Sequence, residues 1–129
     1  MATRVKTKSE NRALNADKRP RAVAKYVRIS PDKVRIVLDI IRGKSYVEAI
    51  AILKNTRKAA CEPLIKLVNS AAANAENNLN MNKNDLFIAE CFANGGPILK
   101  RVQPVSKGRA YRINKRTSHI TVILDTVTE

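Results

Sequence analysis

Residues 98–124 read ILKRVQPVSKGRAYRINKRTSHITVIL, and their pattern is the most informative about the fold. It runs into HITVILD, residues 119–125, whose apolar residues alternate as in a half-buried β-strand. Residues 86–93, LFIAECFA, predict a second strand by the same criterion. Because a structureless loop as long as 94–118 is unusual in a compact domain, we predict that this region forms a long β-hairpin projecting from the body.

Both strands that flank the hairpin are predicted to have two distinct faces. In the later strand, Ile120, Val122 and Leu124 alternate with His119, Thr121 and Ile123. In the earlier strand, strict alternation places Leu86, Ile88, Glu90 and Phe92 on one face and Phe87, Ala89 and Cys91 on the other.

The hairpin carries an unbalanced positive charge. From Cys91 to Leu124 the sequence contains no Asp or Glu, yet it holds Lys100, Arg101, Lys107, Arg109, Arg112, Lys115 and Arg116. We place the tip near Pro104–Gly108 and the return arm at Arg109–Arg116, whose cations would project from both faces if the arm is extended. Such an arm suits a polyanion better than a protein core, and it should need its partner in order to be well ordered.

The whole chain is strongly basic. Its 129 residues give a formal net charge of +14, which points to nucleic acid or an anionic membrane as the partner. The sequence has no Trp, two Phe and three Tyr, so a platform that stacks single-stranded bases is not expected. Structured RNA or DNA, bound through its backbone, fits this composition better.

The rest of the chain predicts an α+β domain. Residues 1–21 form a basic, flexible N-terminal tail, and residues 22–129 form a single domain that includes the hairpin at about 94–118. The body has three helices packed on a small antiparallel three-stranded sheet whose first strand is AVAKYVRIS. Helix signals occur at Ser30-Pro31 before Gly43, at Ser45 and Glu48 before Asn55, and from residue 57 or 58 to Asn78.

No enzymatic or metal chemistry is predicted. Ser118 and His119 are neighbours on a strand and point to opposite faces, so they cannot form a nucleophile and base pair. Cys61 and Cys91 match neither a zinc motif nor a redox pair, and they are expected to be buried free thiols. We expect no cofactor, no membrane partner and a cytoplasmic location, since the chain has neither a membrane-spanning apolar run nor a signal peptide.

Three segments resemble one known family. RAVAKYVRISPDKVRIVLDIIRGKSYVEAIAIL (21–53), LVNSAAANAENN (67–78) and the closing stretch 98–124 are similar to the bacterial large-subunit ribosomal protein twenty-two family. The resemblance covers about residues 20–125. One position departs from the family's pattern, because Val105 stands three residues before the tip Gly108 where the family usually has Arg or His.

The resemblance implies a structural rRNA-binding protein of the large subunit, with its body near the peptide exit and its hairpin lining the nascent-peptide tunnel. The implied partners are 23S-type rRNA, neighbouring large-subunit proteins and the nascent peptide. The implied tip comprises Lys100, Arg101, Val102, Gln103, Pro104, Val105, Ser106, Lys107, Gly108 and Arg109.

Contact with rRNA is expected from basic residues in three places. Arg112, Lys115, Arg116 and His119 would hold RNA along the return arm, together with the cations of the tip. In the N-terminal part we expect Arg12, Lys18, Arg19, Arg21, Lys25 and Arg28 to bind rRNA as well.

Two other functions stay open on composition alone. A DNA-compacting architectural protein would have a comparable charge, but it would usually need paired minor-groove arms or a dimer interface. A cationic membrane-active protein would need a helix that combines a basic face with a large apolar face. Neither pattern is visible in the sequence.

Overall fold

The computed structural model describes residues 2–127. In chain order the elements are α1 (Ala2–Leu14), β1 (Arg21–Val27), α2 (Pro31–Ile41), α3 (Tyr46–Asn55), α4 (Cys61–Leu79), a 3-10 turn (Lys83–Asp85), β2 (Leu86–Gly95), β3 (Leu99–Pro104), β4 (Ala110–Lys115) and β5 (Ser118–Thr126). The α+β class is confirmed, with α2, α3 and α4 as the three predicted helices of the body. A fourth helix, α1, is present in the segment for which the sequence predicts a flexible tail.

The main sheet has three antiparallel strands in the order β1-β5-β2. At one end of the central strand β5, Val27 and Gly95 both lie opposite Ser118, and the hairpin leaves the body there. At the other end, Arg21 lies opposite Ile123. The N-terminal segment and the hairpin therefore leave the sheet from opposite ends.

A β-bulge in β2 makes the two faces of that strand differ from the predicted ones. Ile88 lies opposite Leu124 and Glu90 lies opposite Ile123, so one extra residue is inserted between them. After the bulge, Cys91 is buried and Glu90 is exposed. The prediction that Leu86, Ile88, Glu90 and Phe92 share a face is therefore wrong beyond Ile88, because the extra residue reverses the alternation.

The helices cover one face of the sheet and enclose the core with it. The longest helix, α4, places six apolar residues in this core, namely Leu64, Leu67, Val68, Ala71, Ala72 and Ala75. This helix begins at Cys61, later than predicted, and stops where Asn80 takes a left-handed conformation with φ 52°. At the start of α3 the Ser45 hydroxyl accepts a hydrogen bond from the Glu48 amide at 3.3 Å, as the capping signal predicts.

Side chains donate hydrogen bonds to two carbonyls of β2 and to one carbonyl of β1, the two outer strands. Along β2, the Arg35 guanidinium donates to the Ala93 carbonyl at 3.0 and 3.2 Å, and Arg42 donates to the Cys91 carbonyl at 3.0 Å. Along β1, the Asn74 amide donates to the Arg21 carbonyl at 2.9 Å. These bonds fix α2 and α4 against the sheet.

The N-terminal segment is helical from Ala2 to Leu14, and Thr3–Leu14 is exposed along its whole length. Apolar periodicity predicts helices that pack against a core, and an exposed helix has none, so α1 could not be predicted in this way. The segment is joined to the body at Pro20, whose carbonyl accepts from the Leu124 amide at 2.9 Å. Its flexibility stays a prediction.

No helix within residues 2–127 is both long and apolar enough to cross a membrane.

Candidate nucleic-acid interface

The predicted hairpin is present as the two-stranded sheet β3–β4. Its pairs run from Leu99 opposite Lys115 to Pro104 opposite Ala110. The chain turns between Val105 and Arg109, where the Val105 amide donates to the Arg109 carbonyl at 2.9 Å. Gly108 adopts φ +68° in this turn, a conformation that L side chains rarely adopt. The residues from Gly96 to the turn span roughly 33 Å if each contributes about 3.3 Å.

Cations lie on both faces of the hairpin, as predicted. Alternation along the paired strands puts Arg101 and Lys115 on one face and Lys100 and Arg112 on the other. None of the ion pairs found within residues 2–127 involves a residue of 94–118. The charge of the arm is therefore available to an external anion.

Two residues expected at the tip lie elsewhere on the hairpin. Lys100 is opposite Asn114 and Arg101 is opposite Ile113, whereas the turn occupies positions 105–109. At about 3.3 Å per residue, Lys100 is roughly 15 Å from the turn. The other expected tip residues lie in the turn or within three residues of it along β3, and Val105 is half-buried there.

The root of the hairpin is tightly packed around Gly96. The Gly96 amide donates to the Thr117 carbonyl at 2.9 Å, and the Thr117 hydroxyl donates to the Pro97 carbonyl at 2.7 Å. A Cβ atom on Gly96 would overlap the Thr117 Oγ1 atom and press on the His119 ring. Glycine at position 96 therefore allows the two arms to approach each other where they leave the body.

His119 has a structural role at this root. Its Nδ1 atom accepts a hydrogen bond from the Tyr26 amide at 3.0 Å, and the two rings meet edge to face with centroids 4.8 Å apart. Tyr26 takes φ 57° at an irregularity of β1, so this bond stabilises an unusual backbone conformation. Ser118 next to it is fully buried. Contact between His119 and rRNA stays a prediction.

Replacing Gly96 by alanine is expected to lower the free energy of unfolding by about 1–3 kcal/mol, since Thr117 Oγ1 is held in place and cannot yield. Urea unfolding measures this change, and hydrogen exchange at the residue 96 amide reports the root directly. Gly95→Ala is the matched control, because a Cβ atom there meets nothing within 4 Å. Equal effects of the two substitutions would contradict the packing described here.

A basic cleft connects the hairpin root to the body. It has a volume of about 470 Å³ and is lined by Arg28, Ile29, Ser30, Lys33, Ala59, Asn114, Lys115 and Arg116. The structure thus brings Arg28 together with Lys115 and Arg116, all three of which are expected to bind rRNA. Lys33 joins them, and sequence reasoning missed it because nothing in its local pattern distinguishes it from any solvated lysine.

Apart from Arg28, the N-terminal cations expected to bind rRNA do not line this cleft. Arg12 and Lys18 are exposed, and Arg21 begins β1 at the far end of the sheet. Arg19 forms ion pairs with Asp17 at 2.7 Å and Glu90 at 2.8 Å, and its hydrogen bonds lower the pKa of Asp17 to about 2. Arg19 is thus the expected rRNA-binding residue whose charge is already balanced by carboxylates.

The remaining reactive groups do not assemble into a catalytic or metal centre. Among residues 2–127, no three His, Cys, Asp or Glu side chains are close enough to hold a metal ion. Cys61 and Cys91 are free and buried, as predicted. Burial raises the pKa of the Cys91 thiol, which makes it a poor nucleophile.

Comparison with known proteins assigns the family. A family model described as ribosomal protein L22p/L17e matches residues 22–125. The chain belongs to this family. The large ribosomal subunit protein uL22 of Clostridium novyi (strain NT) is 59% identical over 104 residues, which cover 81% of this chain and 94% of that protein. The protein of the same name from Staphylococcus aureus (strain JH9) is 56% identical over 104 residues, which cover 81% of this chain and 89% of the relative.

Family membership confirms two expectations from the sequence, the absence of catalytic activity and the family resemblance. The family is structural and non-enzymatic, so the expectation of a protein without catalytic activity is confirmed. The resemblance seen in the sequence is confirmed as well. The family match begins at residue 22, so α1 lies outside it.

Proposed function

We propose that this chain is a structural rRNA-binding protein of the large ribosomal subunit that acts in the cytoplasm, supporting subunit assembly and translation. The observation that carries the proposal is the acid-free hairpin, whose cations lie on both faces and form no ion pair within residues 2–127. An arm of this kind can be surrounded by phosphate groups, as a hairpin between RNA segments would be. The names of the relatives support the assignment to the large subunit.

The hairpin would bind RNA by Coulomb attraction and by shape. Arg112, Lys115 and Arg116 would contact phosphates along the return arm, and Arg28 would extend this surface onto the body. Specificity would come from the spacing of phosphates in folded 23S-type rRNA, since the hairpin offers one aromatic side chain, Tyr111, for stacking. The expected contacts of Arg12, Lys18 and Arg21 would form a separate area of contact at the other end of the sheet, whereas Lys25 lies on β1 near the hairpin root.

Cosedimentation tests this function. The full chain is expected to remain on large subunits in moderate salt and to be lost from duplex DNA and from anionic vesicles under the same conditions. Retention on DNA alone would favour the architectural alternative, and retention on vesicles alone would favour a membrane-active protein. Either result would refute the proposal.

We also propose that the hairpin tip lines the nascent-peptide tunnel and that neighbouring large-subunit proteins and the nascent peptide are its partners. Support comes from the family and from the length of the hairpin, whose turn lies far from the body. Val105 would leave the tunnel surface less basic at this point than in most relatives.

Shortening the hairpin tests the tunnel assignment. Removing Val102–Gln103 together with Tyr111–Arg112 deletes two cross-strand pairs, preserves the faces and retracts the turn by roughly 7 Å. The shortened protein is expected to enter large subunits but to lose cross-linking between the turn and a stalled nascent chain. Unchanged cross-linking would contradict the tunnel proposal. Failure of the shortened protein to enter subunits would show that the arm is required mainly for subunit assembly.

A further inference from the structure

Two adjacent cavities beside the hairpin root differ in their chemistry. The inner one has a volume of about 220 Å³, and mainly apolar residues line it: Ile29, Lys33, Ile36, Val37, Lys58, Ala59 and Ala60. The outer one is the basic cleft of about 470 Å³ described above. Both are lined by Ile29, Lys33 and Ala59, so they are immediate neighbours, and we call the two together the root cleft.

The charges around the root cleft all have the same sign. No Asp or Glu lines either cavity, and the five cations that do are Arg28, Lys33, Lys58, Lys115 and Arg116. None of these five takes part in the ion pairs found in residues 2–127. Next to them, Ile36 exposes 62% of its surface. A ligand that suits this site has an apolar part and at least one negative charge.

We propose that the root cleft binds one unpaired nucleotide of RNA, with the base in the inner cavity and the neighbouring phosphates against the outer cations. This inference rests on the proposed function and specifies one RNA element that the protein recognises. A nucleobase has apolar faces and hangs from an anionic backbone, which is the combination that the two cavities offer. The inner volume of about 220 Å³ corresponds to about seven water molecules, which leaves room for a planar base.

An apolar side chain of a neighbouring protein would also fill the inner cavity. An apolar side chain carries no negative charge, however, so it would leave the five cations without anions. Binding a base with its phosphates uses both halves of the site. The charge around the cleft therefore favours RNA over a protein partner.

The experiment fills the inner cavity without changing the charge. Ala59→Leu adds an apolar side chain at an exposed position shared by both cavities. Large subunits carrying the full chain are then probed by base methylation and 2′-hydroxyl acylation at nucleotide resolution. One unpaired nucleotide protected in the wild-type subunit is expected to become several-fold more reactive. Ala51→Leu, at an exposed alanine of α3, is the matched control and should leave the pattern unchanged.

A second variant tests the charged half. Lys33→Gln with Lys58→Gln should expose the same nucleotide, whereas Lys54→Gln with Lys66→Gln removes equal charge elsewhere and should not. The inference is wrong if neither cleft variant changes any nucleotide while the protection along the hairpin persists. It is also wrong if a photoreactive residue at position 59 cross-links to protein and not to RNA. If the wild-type protein protected no rRNA nucleotide, compared with subunits that lack it, the proposed function itself would be refuted.

Discussion

Replacing Arg112, Lys115 and Arg116 together by glutamine is expected to reduce the salt dependence of binding to 23S-type rRNA by roughly 2 to 3 units of slope. Each phosphate contact releases condensed counterions and contributes about 0.7 to 0.9 to the slope of log affinity against log salt. If the affinities converge near 1 M salt, this corresponds to about a hundredfold loss or more at 0.1 M. Filter binding over a series of salt concentrations measures the slope.

The control for this variant must remove the same charge from another surface. Lys44→Gln, Lys54→Gln and Lys66→Gln together do so on the outer sides of α3 and α4, where Lys44 and Lys66 already pair with Glu48 and Glu62. The control is expected to change the slope by less than one unit, roughly one phosphate contact. If both triple variants changed the slope equally, net charge and not the arm would govern binding.

Replacing Leu124 by alanine is expected to lower the free energy of unfolding by about 3–5 kcal/mol. Leu124 is fully buried on the central strand, where it lies opposite Ile88, and truncation leaves a cavity between the sheet and the helices. For a domain of this size such a loss is a large part of the total stability. Urea unfolding followed by circular dichroism gives the value.

Val23→Ala provides the comparison for the core variant. Val23 lies on β1 next to the central strand, but 47% of its surface is exposed, so truncation there should cost less than about 1 kcal/mol. If Leu124→Ala cost no more than Val23→Ala, the helices would not be packed on the sheet as described.

The strands and the hairpin could be predicted because their signals are local. The alternation of Ile120, Val122 and Leu124 identifies β5. A long acid-free region between two strands predicts a hairpin, because a structureless loop of that length would be unusual in a compact domain. The bulge before Glu90 could not be predicted, because it depends on register with Ile123 and not on the residues of β2 alone.

The candidate site was predictable only in part, for a similar reason. Composition identifies the cations of the hairpin, and the absence of acids indicates that they are available. The root cleft depends on Lys33 of α2 and Lys115 of β4 meeting in space, and these residues are far apart in sequence. The position of Lys100 along the arm likewise depends on cross-strand pairing, which fixes the turn at 105–109.

The bonds that Arg35, Arg42 and Asn74 make with the outer strands affect the protein before it meets RNA. A sheet with open edges can pair with the sheet of another copy and aggregate. A ribosomal protein is exposed to this risk after its synthesis, before it binds rRNA. Guanidinium and amide groups donate hydrogen bonds to the carbonyls of Cys91, Ala93 and Arg21, so these carbonyls are not open to another strand. The donating side chains are polar and can remain in contact with water. We therefore expect the same bonds that orient the helices to limit edge-to-edge pairing between unassembled chains.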